Sequence, residues 1–486
     1  MSKVRIENWP SLVDAGRRKK QEVIVREASK KISPELKKWA ENKTFTILTY
    51  GCQANVRDSE IIRGYLLALG LKENDDETNS DVVIFNTCAI RENAETKIYG
   101  ELGRLKSSFK AKKNKIIGIC GCMAQEEKPM TFIKDHFPYV NLVFGTHNID
   151  SLYSLLDACI SNDERLFDVR STQGEIVENL PSCRFDRNKA FVNIMYGCDN
   201  FCTYCIVPYT RGKQRSRRIE DIVREVEELV EKGYKEVTLL GQNVNAYGYD
   251  LEEGNSFDVL LAKVAETGIP RVRFVTSHPA YFKEEVFKVM AKYDNIMPSL
   301  HLPVQSGSDD ILKKMNRHYD SKTYLKLVDM LRKYVPDVYL TTDIIVGFPN
   351  ETREDFEKTL ELCKKVKFDS AFTFIFSPRD GTPASRMKDE TSMEDKKKWF
   401  LELKKVIDDG IEASSLTQVG STVEVLFDTV SKKDDNMISG YSRHNRLVHV
   451  KGDESLIGQI RKVKIIESRA FSLIGELIDD WTRKES

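Results

Sequence analysis

No apolar run in this 486-residue chain approaches the length that crosses a membrane, and the polar start MSKVRIENWP is no signal peptide. A cytoplasmic protein is expected. Net charge is absent too, because 75 Lys and Arg balance 75 Asp and Glu. That zero hides a local excess: residues 1–43 carry twelve Lys/Arg against six Asp/Glu. The excess reads as a solvated extension or, more sharply, as an electrostatic arm for a polyanion such as RNA. In a reducing compartment the ten cysteines are expected to be metal ligands or buried thiols, not disulfides.

What is present is the composition of a soluble globular protein, 41% hydrophobic and 31% charged, long enough for roughly three domains. Residues 1–43 read as a basic extension, with SPELKKWAEN as a capped helix start. From Thr44 to about Ile160, short β-branched runs alternate with helical periods, which predicts an open parallel α/β domain over 44–160. Residues 161–188 are polar, contain Pro181 and read as an irregular linker. A second α/β series over 189–414 offers six βα units, too few for an eight-fold barrel, so a partial (β/α)6 barrel is expected. Residues 415–480 hold about five short strands without helices, predicting a small antiparallel β-barrel.

Cys52, Cys88 and Cys122 each follow an apolar strand, in YGC, NTC and CGC, at intervals of one βα unit. In a parallel sheet those strand ends share one edge, where open α/β folds bind ligands. Three equivalent positions would bring three thiols together. Thiolates suit zinc or iron–sulfur clusters, and three leave one coordination position free. Cys120, Cys159 and Cys363 fall within apolar periods and read as core, while Cys183 in the linker reads as a free thiol.

A second triplet, Cys198, Cys202 and Cys205, sits in GCDNFCTYCIVPYTRG just after a strand. Its offsets match a helix stripe, but Gly197, Asp199, Asn200 and Pro208 read as a loop. No further cysteine pair follows to complete a zinc site, and a 4Fe–4S cluster with one cysteine-free iron fits better. CxxxCxxC after the first strand of a partial barrel resembles the radical S-adenosylmethionine (SAM) superfamily. From about Thr44 to its end the chain resembles the methylthiotransferase family. TYGCQANVRDSE, NTCAIRENAE and GCMAQ are similar to its N-terminal domain, and GCDNFCTYCIVPYTRGKQRSR to its tRNA-modifying, MiaB-type branch. The ribosomal-protein branch typically has GCPKN and NTCGF in place of GCQAN and NTCAI. Ala54 departs from the usual Met of the tRNA branch, beside a cluster ligand but not one itself.

The resemblance implies two 4Fe–4S clusters, one on Cys198, Cys202 and Cys205 and an auxiliary one on Cys52, Cys88 and Cys122. SAM is expected to bind the free iron of the first. Tyr204 occupies the superfamily's aromatic position before the last cysteine. Gln242 and Asn243 offer amides to a zwitterion, and His278, Gln305 and Asp343, at or near strand ends, complete the cofactor-binding set. The run YTRGKQRSRR and the C-terminal strands, which resemble an RNA-binding TRAM domain, offer Arg211, Lys213, Arg215, Arg217, Arg218, Arg443, His444, Arg446 and Lys451 to phosphates.

The implied reaction puts a methylthio group on carbon 2 of an N6-isopentenyladenosine beside the anticodon of tRNA. One SAM methylates a sulfur and a second yields the radical that removes the ring hydrogen. An electron donor such as flavodoxin or ferredoxin, a sulfur source and a base flipped from its stack are implied with it. The residues leave open a threonylcarbamoyladenosine or ribosomal-protein substrate, and a non-catalytic RNA-binding iron–sulfur sensor.

Overall fold

The computed structural model describes residues 23–89, 92–111, 115–162, 165–170, 175–431, 434, 436–469 and 471–478. Most of the basic extension thus lies outside the described residues. Its described part holds strand β1 (Ile24–Glu27) and helix α1 (Pro34–Ala40). Ser33 caps α1 by accepting from Leu36 N, and Pro34 follows as its first residue.

A six-stranded sheet follows, built from β2 (Thr44–Tyr50), β3 (Lys72–Glu73), β4 (Val82–Thr87), β5 (Ile116–Gly121), β6 (Leu142–Phe144) and β7 (Leu166–Asp168). Its order is β3-β2-β4-β5-β6-β7, and every pairing is parallel. The central strands β4 and β5 are buried at every residue, hence their unbroken apolar runs. Helix α2 (Gln53–Leu69) and a helix over Leu152–Asn162 cover one face, and helices over Glu92–Ala111 and Glu127–His136 cover the other.

Residues 161–188 are not the irregular linker that their polarity suggests. β7 completes the sheet, and β8 (Glu175–Glu178) pairs in parallel with β1. Strands of three or four residues are too short to declare a period.

The central domain carries β9 (Lys189–Asn193), a hairpin of β10 (Met195–Tyr196) with β11 (Arg215–Ser216), then β12 (Glu236–Leu240), β13 (Arg271–Phe274), β14 (Ser299–His301), β15 (Tyr339–Val346) and β16 (Ser370–Ile375). The six long parallel strands form two triplets, β9-β12-β13 and β14-β15-β16. A bridge from Val272 to Ile296 links them. Among the described residues no pairing joins β16 to β9, so the partial barrel stays open on that side. Alternate residues, among them Val192, Val237, Val272, Leu300, Leu340 and Ile344, pack outward against helix residues in one core. The other parity faces the lumen.

The C-terminal strands β17 (Thr422–Val430), β18 (Met437–Ser442), β19 (Leu447–Lys451), β20 (Ile460–Arg469) and β21 (Ser472–Leu477) form a closed barrel. It is not purely antiparallel, because β19 pairs with β21 in parallel. This small barrel caps the N-terminal ends of the partial barrel's strands. Lys189 pairs with Asp428, and Arg271 with Glu424 at 3.0 Å. Arg273 donates to Ser442 O at 2.7 Å, and Arg446 pairs with Asp369 at 2.8 Å. The lumen therefore has a floor, and its mouth is at the opposite end, where βα loops carry sites.

Candidate functional site

Cys52, Cys88 and Cys122 follow β2, β4 and β5, which are neighbours in the sheet. Tyr50 pairs with Thr87, and Thr87 with Gly121, so the three strand ends are level. Gly121 has φ +91°, and a Cβ there would lie 2.4 Å from Asn86 Oδ1 and 2.5 Å from Thr87 O. Only glycine brings Cys122 so close to the next strand. Beneath the thiols lies a buried amide lock. Asn55 donates to Asn86 Oδ1 at 2.9 Å, and Asn86 donates back to Asn55 O at 2.8 Å and to Ser59 Oγ at 2.9 Å.

The second triplet sits on a loop framed by the β10–β11 hairpin. Cys198 N donates to Gly212 O at 3.0 Å, and Gly197 has φ +68°, with Lys213 O 2.1 Å from where a Cβ would be. Asn316 donates to the carbonyls of Asn200 and Phe201 at 3.1 Å each. Arg317, buried, donates to Cys202 Sγ at 3.4 Å and to Pro303 O at 3.2 Å. Phe201, Thr276, Gln305 and Asn316 all hold positive φ here. For β-branched Thr276 that conformation is strained, the kind of cost that clusters at functional sites.

Cys122 packs against the loop that carries the second triplet. Ala89, Cys122, Ile206 and Tyr209 share one buried apolar cluster with Phe201 against it. Arg211 donates to Cys122 Sγ at 3.1 Å and pairs with Asp58 at 2.7 Å, both side chains under one-tenth exposed. Thr146 donates to Thr210 O at 2.7 Å. Burial pushes the Cys122 thiol up to about 12, and that of Cys198 up as well. Such thiols stay protonated until a soft cation displaces the proton. Among the described residues no three His, Cys, Asp or Glu side chains form a site for a single ion. An all-thiol set with no carboxylate or imidazole among it fits an iron–sulfur cluster.

A polar ligand also has its place. Among the described residues, both amide atoms of Asn243 and Nε2 of His278 are buried without a partner. Buried polar groups are ordinarily satisfied, so these orphans mark where a hydrogen-bonding ligand sits. Asn245 fixes His278 by exchanging hydrogen bonds with its backbone at 2.8 and 2.9 Å. Replacing Asn243 by alanine is expected to raise the KM for SAM about tenfold or more, with iron content unchanged. Gln242, just past β12, is half-buried, and Gln305, bridged to Ile344 of β15, is buried. Tyr204 packs against Ile311, Met315, Phe348 and Phe376. Asp343 faces the lumen, 3.3 Å from His301 Nε2.

The His278 ring is held neutral. Burial, reinforced by Arg317 and His318, pushes its pKa down to about 2. An unfolded histidine takes up a proton below about pH 6.5, and this folded one does not. Its contribution to stability is therefore complete above pH 6.5 and lost as pH falls, at up to about 1.4 kcal/mol per unit. Urea midpoints of wild type and His278→Gln check the sign. The stability difference, wild type minus variant, should fall by about 1 kcal/mol between pH 6.5 and 5.5 and more steeply below that.

Several arginines expected at phosphates are structural instead. Arg211 is committed to Asp58 and Cys122. Arg217 pairs with Glu178 at 2.6 Å and Glu225 at 2.7 Å. Arg215 is buried, donating to Lys213 O at 2.9 Å and lying over the Tyr196 ring. Arg446, Arg443 and His444 hold the C-terminal barrel to Asp369, Asp294 and Asp337. Half-buried Lys213 and exposed Arg218 and Lys451 keep access to solvent. Sequence reasoning also missed Asn55, Asp58, Asn86 and Arg317. Their signal was faint: polar residues close to the cysteines or within apolar strands.

A cavity of about 340 Å³ between the first two domains is lined by Arg57, Glu178, Arg184, Arg217 and Glu225. Arg57, Arg184 and Arg217 converge on Glu225. Burial alone would raise that carboxyl, but the three arginines outweigh it and hold it at about 2. The hub joins domains and leaves no charge free for a ligand.

Comparison with known proteins agrees with this geometry. The radical SAM superfamily model matches residues 192–363, the "Uncharacterized protein family UPF0004" model residues 44–145, and the TRAM domain model residues 416–478. A Bacillus licheniformis protein named tRNA-2-methylthio-N(6)-dimethylallyladenosine synthase is 49% identical, covering 97% of this chain and 92% of its own. The Bacillus subtilis protein of that name is 47% identical with the same coverage. Among solved structures, the radical SAM methyltransferase TsrM from Kitasatospora setae superposes with a TM-score of 0.53 at 12% identity. It covers 71% of this chain and 75% of its own, a likeness of fold alone. With near-half identity along almost its whole length, the chain belongs to the tRNA-2-methylthio-N(6)-dimethylallyladenosine synthase family of radical SAM enzymes.

Proposed function

We propose that this enzyme adds a methylthio group to carbon 2 of N6-dimethylallyladenosine in tRNA, in a cytoplasmic setting. The observation that carries this reading is the buried contact between Cys122 of one triplet and the loop that carries the other, reinforced by Arg211. Cys198, Cys202 and Cys205 would hold one 4Fe–4S cluster, and Cys52, Cys88 and Cys122 a second. When bound, such clusters with an open iron supply reductive SAM cleavage at the first and a sulfur at the second.

The chain's own residues bind, orient and exclude water. Asn243, His278 and the neighbouring Gln242 and Gln305 offer hydrogen bonds to the amino and carboxylate groups of SAM. Phe201, Ile206 and Tyr209 pack an apolar surface against Cys122 and Ala89 that keeps water from that thiol. Exposed Arg218 and Lys451 face solvent, where tRNA phosphates can reach them. An electron donor such as flavodoxin or ferredoxin and a separate sulfur source complete the partners.

The test is an anaerobic reaction with dimethylallylated tRNA, SAM and dithionite, with the nucleosides read by mass spectrometry. The 2-methylthio product is expected. A shift on threonylcarbamoyladenosine or on a ribosomal protein would reassign the substrate, and no deoxyadenosine at all would leave an RNA-binding iron–sulfur protein.

A further inference from the structure

On the β14-β15-β16 half of the lumen, β15 alternates strictly. Leu340, Thr342, Ile344 and Val346 are buried, while Tyr339, Thr341, Asp343 and Ile345 are partly open. In register, Asp343 stands beside Phe372 and Ile345 beside Phe374. Phe372 and Phe374 are 58% and 51% exposed. Two phenylalanines so open, inside a barrel rather than on its outer surface, lack among the described residues the apolar partner that such rings ordinarily have.

Their height in the barrel is defined. Ile345, beside Phe374, packs in the cluster that holds Tyr204, between Cys202 and Cys205. Below Phe372 the floor begins, where Arg446 lies over the Tyr339 ring. The aromatic pair therefore stands between the radical loop and the floor, on the edge strand beside the barrel's open side. Next to it, His301 contacts Thr341 Oγ1 at 2.9 Å and Asp343 at 3.3 Å, its ring edge-on to Phe372 at 6.1 Å. A carboxylate has acceptor capacity beyond this one contact with His301. The opposite half presents the unpartnered amide of Asn243 and the imidazole of His278, groups suited to a zwitterion.

We infer that Phe372 and Phe374 form the stacking platform for the target purine, with Asp343 accepting from its exocyclic N–H. This inference rests on the function proposed above. A flipped base bearing an apolar N6 substituent supplies both the flat π-face and the apolar surface that the two rings lack. Entry from the open side needs no displacement of the C-terminal barrel.

The test uses reconstituted full-length enzyme and an anticodon stem-loop RNA carrying dimethylallyladenosine. Binding is followed by fluorescence anisotropy, which requires no turnover. Phe372→Ala and Phe374→Ala are each expected to weaken stem-loop binding about tenfold. The KM for SAM and deoxyadenosine formation without RNA should stay within about twofold of wild type, a difference of under 0.5 kcal/mol. Unchanged RNA affinity in both variants overturns the platform. A KM for SAM that rises in step with the RNA Kd also overturns it, by assigning the rings to SAM. Should an alanine variant lose its iron, the double variant Phe372→Leu with Phe374→Leu keeps the apolar bulk and decides. Weakened RNA binding supports stacking, and wild-type affinity refutes it. If wild type binds the stem-loop but forms no 2-methylthio product, the proposed function fails and the stacking measurement still stands.

Discussion

Replacing Cys198, Cys202 and Cys205 together by alanine is expected to halve the iron of anaerobically reconstituted protein and to abolish SAM cleavage. Wild type should hold about eight irons as two tetranuclear clusters. Replacing Cys52, Cys88 and Cys122 should also halve the iron, yet leave SAM cleavage intact and stop methylthiolation. The asymmetry follows from placement. The first triplet lies in the loop that Asn316 and Arg317 tie to the barrel, close to the unpartnered Asn243 and His278. The second belongs to a separate domain with its own two-layer core. Each triplet is therefore carried by a different hydrophobic core. Iron assay, deoxyadenosine chromatography and nucleoside mass spectrometry read the three quantities separately. Deoxyadenosine from the first triple variant, or methylthiolation by the second, would remove the division of labour.

The cysteines were legible because their signal is local or strictly periodic. One triplet sits within eight residues, and the other repeats with the βα unit of a parallel sheet. The partial barrel was legible for the same reason, since each strand and helix announces its own period. The arginines were not. Within KQRSRR, Arg217 looks solvated because the acids that pair with it, Glu178 and Glu225, come from other segments that only the fold brings near. The docking of the C-terminal barrel was equally hidden, since Arg443 and Arg446 carry the same charge whether they face RNA or Asp294 and Asp369. Phe372 and Phe374 were hidden in the opposite way. FTFIF reads as a buried strand, and only the missing pairing of β16 with β9 leaves one face open.

Arg211→Met is expected to produce the largest change from a single substitution, on stability and on the auxiliary site together. The guanidinium is buried where two domains meet, paired with Asp58 on α2 and donating to Cys122 Sγ. Removing it leaves the Asp58 carboxylate buried and uncompensated, a loss of about 3–5 kcal/mol, read as a lower urea midpoint. Arg211→Lys keeps the charge but not the fork that serves Asp58 and Cys122 at once, so it should recover only part of that loss. Stability alone would not separate a fastener from a residue that tunes the site. A hydrogen bond to a cluster-bound sulfur stabilises the more negative, reduced state, so its loss should lower the auxiliary reduction potential. Redox titration followed by electron paramagnetic resonance checks this in Arg211→Lys, the better-folded variant. The potential of the Cys198, Cys202 and Cys205 site should stay fixed, because Arg211 donates to no thiol of that triplet. A shift confined to the auxiliary signal makes Arg211 a positioning residue for that site. Equal shifts in both, or none in either, would reduce it to an interdomain fastener.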